Sequence, residues 1–500
     1  MQIIPRPAEV ETRTGEYRLD PAQPIVLETP AVAVAAVASY LREELARRCP
    51  ANTPATIAEA SPGTTASIRI GLVPKKHPRE GYELEIEPSG ISLRASTAEG
   101  LFRGVQSILQ LLSRDTKLAA CRIVDAPRYP WRGLHLDVCR HFFPISFIKR
   151  FIDLLAIHKM NTFHWHLTED QGWRLEIERY PRLCEVAAWR QGDGEVYGGF
   201  YTQDDVREIV EYAKARYIQV VPEIELPGHA IAALAAYPEL SCTGGPFEVE
   251  TACGIFDDVF CAGNDETFEF LENVFAEVVR LFRCEYVHVG GDECPKTRWQ
   301  KCPKCRERMA TEKLTDPGAL QSWFIGRISK YLTSQEKILV GWDEILEGGL
   351  VPGAVVMSWR GTEGGIAAAR ARHDVVMTPT SHCYFDFFQT DGPEEFGNHG
   401  TTTLEKVYSF EPTPPELSIE EAKHVLGTQA TLWTERMTTT RHVEYQALPR
   451  MCALAEVAWT PTGRREWADF QARTADPLRH LGDLGYHYRS LELSERRIPL

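Results

Sequence analysis

The stretch YVHVGGDECP, residues 286–295, decides how the rest of the chain is read. An apolar, strand-like run leads into Gly290 and Gly291, and the glycines lead into two adjacent acids, Asp292 and Glu293. Adjacent side chains of a regular strand point to opposite faces, so the two acids could not share a pocket if the strand simply continued. The glycines let the backbone leave strand geometry there, which places both carboxylates at a rim.

Other stretches repeat this plan. Apolar strand candidates fall at 132–139, 161–168, 218–225, 286–291, 338–342, 354–359, 374–379 and 425–433. Helical periodicity fills 145–157, 203–216, 265–283, 318–333 and 441–458 between and after them. This alternation predicts an α/β chain whose second part, residues 126–490, is a catalytic (β/α)8 TIM barrel ending in a C-terminal helix. A doubly wound sheet is the runner-up, but no G-x-G-x-x-G opens a helix. In a barrel, chemistry collects past the C-terminal ends of the strands. Here those ends read LDVCRH, HWHLTED, PEIELPGH, VHVGGDE, GWDE, MSWRG and TLWTE, with CYFDF following the seventh strand.

Residues 1–125 read as a separate N-terminal α+β accessory domain. SIRIGLV at 67–73 is strand-like, YELEIEPSGISLRAS at 82–96 carries a hairpin signal around Pro-Ser-Gly, and GLFRGVQSILQLLS at 100–113 is helical. The apolar run at 31–41 is too short to span a bilayer and resembles one face of a helix.

A net charge of -15 over 500 residues repels phosphate backbones, so no nucleic-acid partner is expected, and no membrane segment is visible. The N-terminus lacks a basic region followed by an apolar run, so a cytoplasmic protein is expected unless a leader was removed. Thirteen cysteines, an odd number scattered through a long chain, argue against a disulfide framework and for a reducing compartment. Cys294, Cys302 and Cys305 lie close together, but a zinc reading lacks a fourth ligand. Packed thiols are the expectation, with no metal or cofactor.

Two carboxylates in a partly desolvated site have their ionisations pushed apart, one becoming a proton donor and the other an anion. That is the division of labour glycoside cleavage requires. HVGGDE, with HWHLTEDQGWR, PEIELPGH, LDVCRHFFP and LWTE, resembles glycoside hydrolase family 20, the β-N-acetylhexosaminidases, and the likeness runs along nearly the whole chain. The resemblance implies an exo-acting enzyme in which the substrate's own 2-acetamido oxygen attacks the anomeric carbon, giving an oxazolinium intermediate.

It also implies roles. Glu293 is the acid and then the base; Asp292 orients the acetamido N–H; Tyr384 donates to the acetamido oxygen. His229 bonds the catalytic Glu and is backed by Glu169, where many members carry Asp, with Asp170 beside it. Arg140 and Glu435 take the sugar hydroxyls. Trp342, Trp359 and Trp433 box the acetamido methyl, and Asp386 with an aromatic near 408–410 completes the wall. The partner is thus a carbohydrate with a terminal β-linked N-acetylhexosamine; GlcNAc and GalNAc are not distinguished. Two other readings stand beside this one: a metal-dependent barrel hydrolase using His164 and His166 with His229 and Asp292, and a sugar-binding protein without catalysis.

Overall fold

The structure is a computed structural model that describes residues 2–20, 22–49, 55–61, 68–112, 116–192, 194–390, 392 and 397–491. Eight parallel strands close into a barrel. In chain order they are β1 (Trp131–Asp137), β2 (Thr162–His166), β3 (Gln219–Leu226), β4 (Tyr286–Gly290), β5 (Ile338–Trp342), β6 (Val355–Ser358), β7 (Val375–Met377) and β8 (Val425–Ala430). All eight overlap the expected runs, and all but β3 and β5 are shorter than expected. Residues 431–433 leave the strand, which frees Trp433 to turn over the barrel mouth.

Helices Ile145–Ile157, Gln203–Lys214, Asp265–Phe282 and Pro317–Ser334 lie where the 3.6-residue period put them. The helix expected over 441–458 is instead two, Thr440–Ala447 and Arg450–Trp459. Pro449 explains the break, because its ring clashes with the preceding turn and it has no N–H to donate.

The barrel lumen is filled in two layers. Trp131, Val221, Val340, Val355, Met357 and Val376 form an apolar plug of their own, separate from the larger core that packs the helices. Above it the register sets Asp137 beside His166, His166 beside Glu223, and Glu223 beside His288 across four neighbouring strands. A polar layer therefore lies directly under the mouth.

Between Glu9 and Asp125 the described residues form a seven-stranded mixed sheet with helices Val32–Arg48 and Ala98–Leu111. The first of these carries the apolar run at 31–41. The strand expected at 67–73 is Ile68–Leu72 and the helix expected at 100–113 ends at Leu111; Ser67 and Ser113 lie outside the described residues. Sheet and barrel meet through buried charge. Glu80 accepts from Arg103 Nε at 2.9 Å and from Arg132 Nη1 of β1 at 3.0 Å. Asp125 accepts from Lys159 Nζ at 3.1 Å and Trp459 Nε1 at 2.9 Å. Burial opposes ionisation of Glu80, but Arg132 and Arg103 hold it down at about 2. Among the described residues, no helix is long and apolar enough to cross a membrane.

Candidate active site

Beyond β4 the chain turns sharply: φ is +64° at Gly290, +96° at Gly291 and +43° at Glu293. A side chain at Gly290 would place its Cβ 1.8 Å from Glu225 Oε2 of β3, and the Gly291 N–H donates to Glu225 Oε1 at 3.0 Å. The glycines thus serve two ends, the turn and the close seat of a buried carboxylate. Asp292 and Glu293 emerge together at the barrel mouth.

His229, after β3, serves both acids. Its Nε2 lies 3.5 Å from Glu293 Oε2 and 3.9 Å from Asp292 Oδ2, while Nδ1 lies 2.7 Å from Glu169 Oε1 and 3.1 Å from Asp170 Oδ2. Burial disfavours the imidazolium, but Glu169, Asp170 and Glu293 outweigh it and hold His229 well above its ordinary range. Asp292 moves the other way for an acid: burial, with Glu223, Glu293 and Glu169 nearby, pushes its carboxyl up to about 7 against the pull of His229.

Below this level Glu223 is a hub. It faces His166 Nδ1 at 2.5 Å, His288 Nδ1 at 2.8 Å and His164 Nε2 at 2.9 Å, and accepts from Trp342 Nε1 at 2.9 Å. His166 Nε2 in turn lies 3.2 Å from Glu169 Oε2. Against burial, Glu223 and Glu169 raise His166 to about 10, so the row Glu223, His166, Glu169, His229 alternates in sign up to Glu293. The partners of His164 and His166 are therefore Glu223 and Glu169, and not the His229 and Asp292 of the metal-hydrolase reading.

Arg140, after β1, is held from four sides. Its Nε donates to Gln171 Oε1 at 2.9 Å, and its Nη atoms lie 3.3 Å from Asp137, 3.3 Å from Glu169 and 3.9 Å from Glu435. Its guanidinium also sits 5.3 Å from the Trp433 ring centroid. Trp342, 1% exposed, forms the floor, with Trp433 tilted against it at 5.9 Å. Trp359 and Tyr384 stack at 6.2 Å and 26° to make a side wall. The Trp359 indole N–H donates to Glu344 at 2.8 Å. Burial and Asp292 raise that acid to about 8.

Among the described residues, three buried carboxylate oxygens have no hydrogen-bond partner: Asp292 Oδ1, Asp386 Oδ1 and Glu435 Oε2. All three belong to this cavity, whose remaining walls are indole and phenol rings. Unpaired buried acceptors are costly, and their convergence marks a ligand rich in O–H and N–H donors.

The family model for the glycosyl hydrolase family 20 catalytic domain matches residues 129–462, and that for the family's domain 2 matches residues 1–126. The chain belongs to glycosyl hydrolase family 20. It is 43% identical to the β-hexosaminidase of Porphyromonas gingivalis over 98% of its own length, and it spans 64% of that relative. With the β-N-acetylhexosaminidase of Cellulomonas fimi it shares 33% identity over 98% of this chain and 96% of the other. A crystal structure of a Vibrio harveyi family 20 exo β-N-acetylglucosaminidase in complex with N-acetylglucosamine superposes with a TM-score of 0.89, at 31% identity, covering 98% of this chain and 78% of that one. The chain is thus a family 20 glycoside hydrolase, with a TIM barrel behind a separate N-terminal domain.

The contacts above bring the residues singled out in the sequence into one contiguous group at the barrel mouth, Asp386 joining it through its electrostatic coupling to Tyr384 and Glu435. Glu169 and Asp170, adjacent in the sequence, share His229, and Glu169 also reaches Arg140 and His166. Two more that complete the site did not stand out. Asp137 accepts from the Arg140 backbone and from Thr434, tying the β1 and β8 ends together. Glu344 lay in plain view in GWDE as the second acid after the floor tryptophan Trp342. The aromatic expected near 408–410 is not part of the family 20 cavity here: Tyr408 stacks on Phe470 at 4.4 Å and Phe410 on His382 at 5.0 Å. Besides Trp359, a second ring lies next to Tyr384: Phe387, at 5.6 Å.

Proposed function

We propose that the chain is an exo-acting β-N-acetylhexosaminidase that removes one terminal β-linked N-acetylhexosamine at a time, with retention, through an oxazolinium intermediate. The observation that carries this reading is the pairing of unpartnered Asp292, Asp386 and Glu435 oxygens with walls of Trp342, Trp359, Tyr384 and Trp433. The rings suit an acetamido methyl on one side, and the acids with Arg140 suit sugar hydroxyls on the other.

Glu293, with 35% of its side chain exposed, faces the open side, where a leaving oxygen arrives and water later enters. It protonates that oxygen as the bond breaks and then takes a proton from the attacking water. His229, 3.5 Å away and backed by two acids, stabilises the Glu293 carboxylate that the first transfer leaves. Asp292 accepts the acetamido N–H, and its anion grows in value as positive charge develops on the ring being formed. Tyr384 donates to the acetamido oxygen and aims it at the anomeric carbon. The rings exclude water from the intermediate. The hydroxyl-binding cluster around Arg140 closes the far end, which admits a single terminal sugar. An odd count of thirteen cysteines scattered along the chain favours action in a reducing compartment.

The test compares release of nitrophenol from the β-N-acetylglucosaminide and the β-glucoside. Cleavage of the first alone, with the β-anomer of GlcNAc as first product by NMR, is expected. Equal cleavage of both would sink acetamido participation.

A further inference from the structure

Away from the cavity, four cysteines meet. Cys242 and Cys261 come from the long segment after β3; Cys302 and Cys305 come from the segment after β4. The sulfurs of Cys242 and Cys305 are 3.7 Å apart, those of Cys261 and Cys305 3.6 Å, and those of Cys261 and Cys302 3.8 Å. All four lie within 4.8 Å of one another. The missing ligand of the sequence reading is thus supplied twice over, by residues about 40 to 60 positions upstream, and Cys294 is not part of the group: its sulfur faces the Pro295 carbonyl at 3.8 Å.

We infer that Cys242, Cys261, Cys302 and Cys305 hold one Zn2+ as a tetrathiolate, and that this ion clamps the loop carrying His229 to the loop carrying Glu293. Four sulfurs at about 2.3 Å around a tetrahedral zinc stand about 3.8 Å from one another, close to the spacing seen. A disulfide would bring two of them to about 2.05 Å, and simple thiol packing has no reason to gather four sulfurs mutually. The spacing C-x-x-C with two further cysteines from another loop is that of a closed, structural zinc site with no open position.

Binding releases four thiol protons and leaves a complex of net charge -2. Its surroundings suit that charge. Cys302 caps helix Pro303–Thr311 and Cys305 lies in the first turn, where N–H groups point outward; Lys301, Lys304 and Arg306 flank them in sequence.

The clamp reaches the catalytic loops by a short route. A Cβ on Gly263 would lie 2.1 Å from the Lys304 carbonyl carbon, so the two segments touch backbone to backbone. Trp299 donates to the Phe260 carbonyl at 2.9 Å, and Phe260 donates to the Pro227 carbonyl at 3.0 Å, two residues before His229. Gly228 packs on the Asp292 carbonyl and on Cys294.

The test is metal analysis of the full chain, purified without a polyhistidine tag. One zinc per chain is expected, released stoichiometrically by a mercurial. Cys302→Ser and Cys305→Ser should each lose at least ten-fold in zinc content, whereas Cys294→Ser keeps it. Should the serine variants not fold, the wild-type protein expressed with Co2+ in place of zinc provides the second readout, the visible bands of a tetrahedral cobalt tetrathiolate. Absence of zinc together with all thirteen thiols titrating, or with four fewer than the thirteen in the sequence, overturns the inference, as does retention of full zinc in both serine variants.

Discussion

Replacing Asp292 with Asn should stabilise the fold while damaging catalysis, and the gain should depend on pH in a defined direction. The native carboxyl keeps its proton up to about 7, whereas its ordinary value is 3.8. A group raised on folding contributes stability in full below the unfolded value and loses it as pH climbs to the folded one. Each pH unit across that window is about 1.36 kcal/mol, so ionising native Asp292 costs on the order of 4 kcal/mol once pH exceeds 7. The side chain is 14% exposed, so water screens little of it. Asn carries no such cost, and it also relieves Glu225 and Glu344, both raised by burial first and by Asp292 next. Thermal unfolding of the two proteins from pH 4 to 9 measures this. Their Tm values should be close at pH 4, diverge in favour of Asp292→Asn up to pH 7, and run parallel above. With about 2–4 °C per kcal/mol in domains of 150–250 residues and less in a longer chain, a gain of several degrees at pH 8 is expected. A constant gap, or one that widens toward acid, would refute the assignment of a costly buried anion at this position.

Other consequences can be measured alongside it. Glu344→Gln removes an acid neighbour of Asp292, so repeating the titration in that background should move the window of divergence to lower pH. Gly290→Ala puts a side chain into the left-handed region and onto Glu225, at about 1–2 kcal/mol for the backbone and about 1–3 kcal/mol for the displaced carboxylate; Tm should fall and kcat with it, and an unchanged Tm would contradict the packing described. Trp342→Phe strips the indole donor from buried Glu223, which should cost about 1.5–3 kcal/mol in urea unfolding and raise KM for the N-acetyl substrate. Arg140→Lys keeps the charge but loses the Nε bond to Gln171 and the planar fork, so kcat/KM should drop about 100-fold with little change in Tm.

Why some of this was legible in the sequence, and some not, follows from the range of the interactions. Strand runs and the helices between them are local patterns, and the barrel follows from their alternation. The GGDE turn is equally local, since the two glycines announce the departure from strand geometry. The helix over 441–458 went astray because periodicity was weighed above Pro449, a breaker visible in the same stretch. The supports of the site are non-local. Glu223 is one apolar-strand residue among many until register sets it between His166 and His288. Asp170 and Glu169 differ in role only through which side chains reach them. The four cysteines span more than 60 positions, and only the packing of two loops reveals that they form one group.

The bridge between sheet and barrel has a consequence for how the chain can be divided. Arg132 belongs to the first barrel strand and Lys159 precedes the second; both are fully buried, and the acids that balance them come from the N-terminal part, Glu80 from the turn before strand Tyr82–Glu87 and Asp125 from the end of strand Lys117–Asp125. A barrel cut free at the boundary near residue 126 would lose both acids and open the surface around both cations to water, so it forfeits these ion pairs together with the packing that shields them. Such a fragment is expected to be less stable than the barrel in the intact chain even though every catalytic side chain is still encoded in it. The N-terminal part thus acts as a counterion for the barrel, and a single calorimetric transition of the intact chain is the expected outcome.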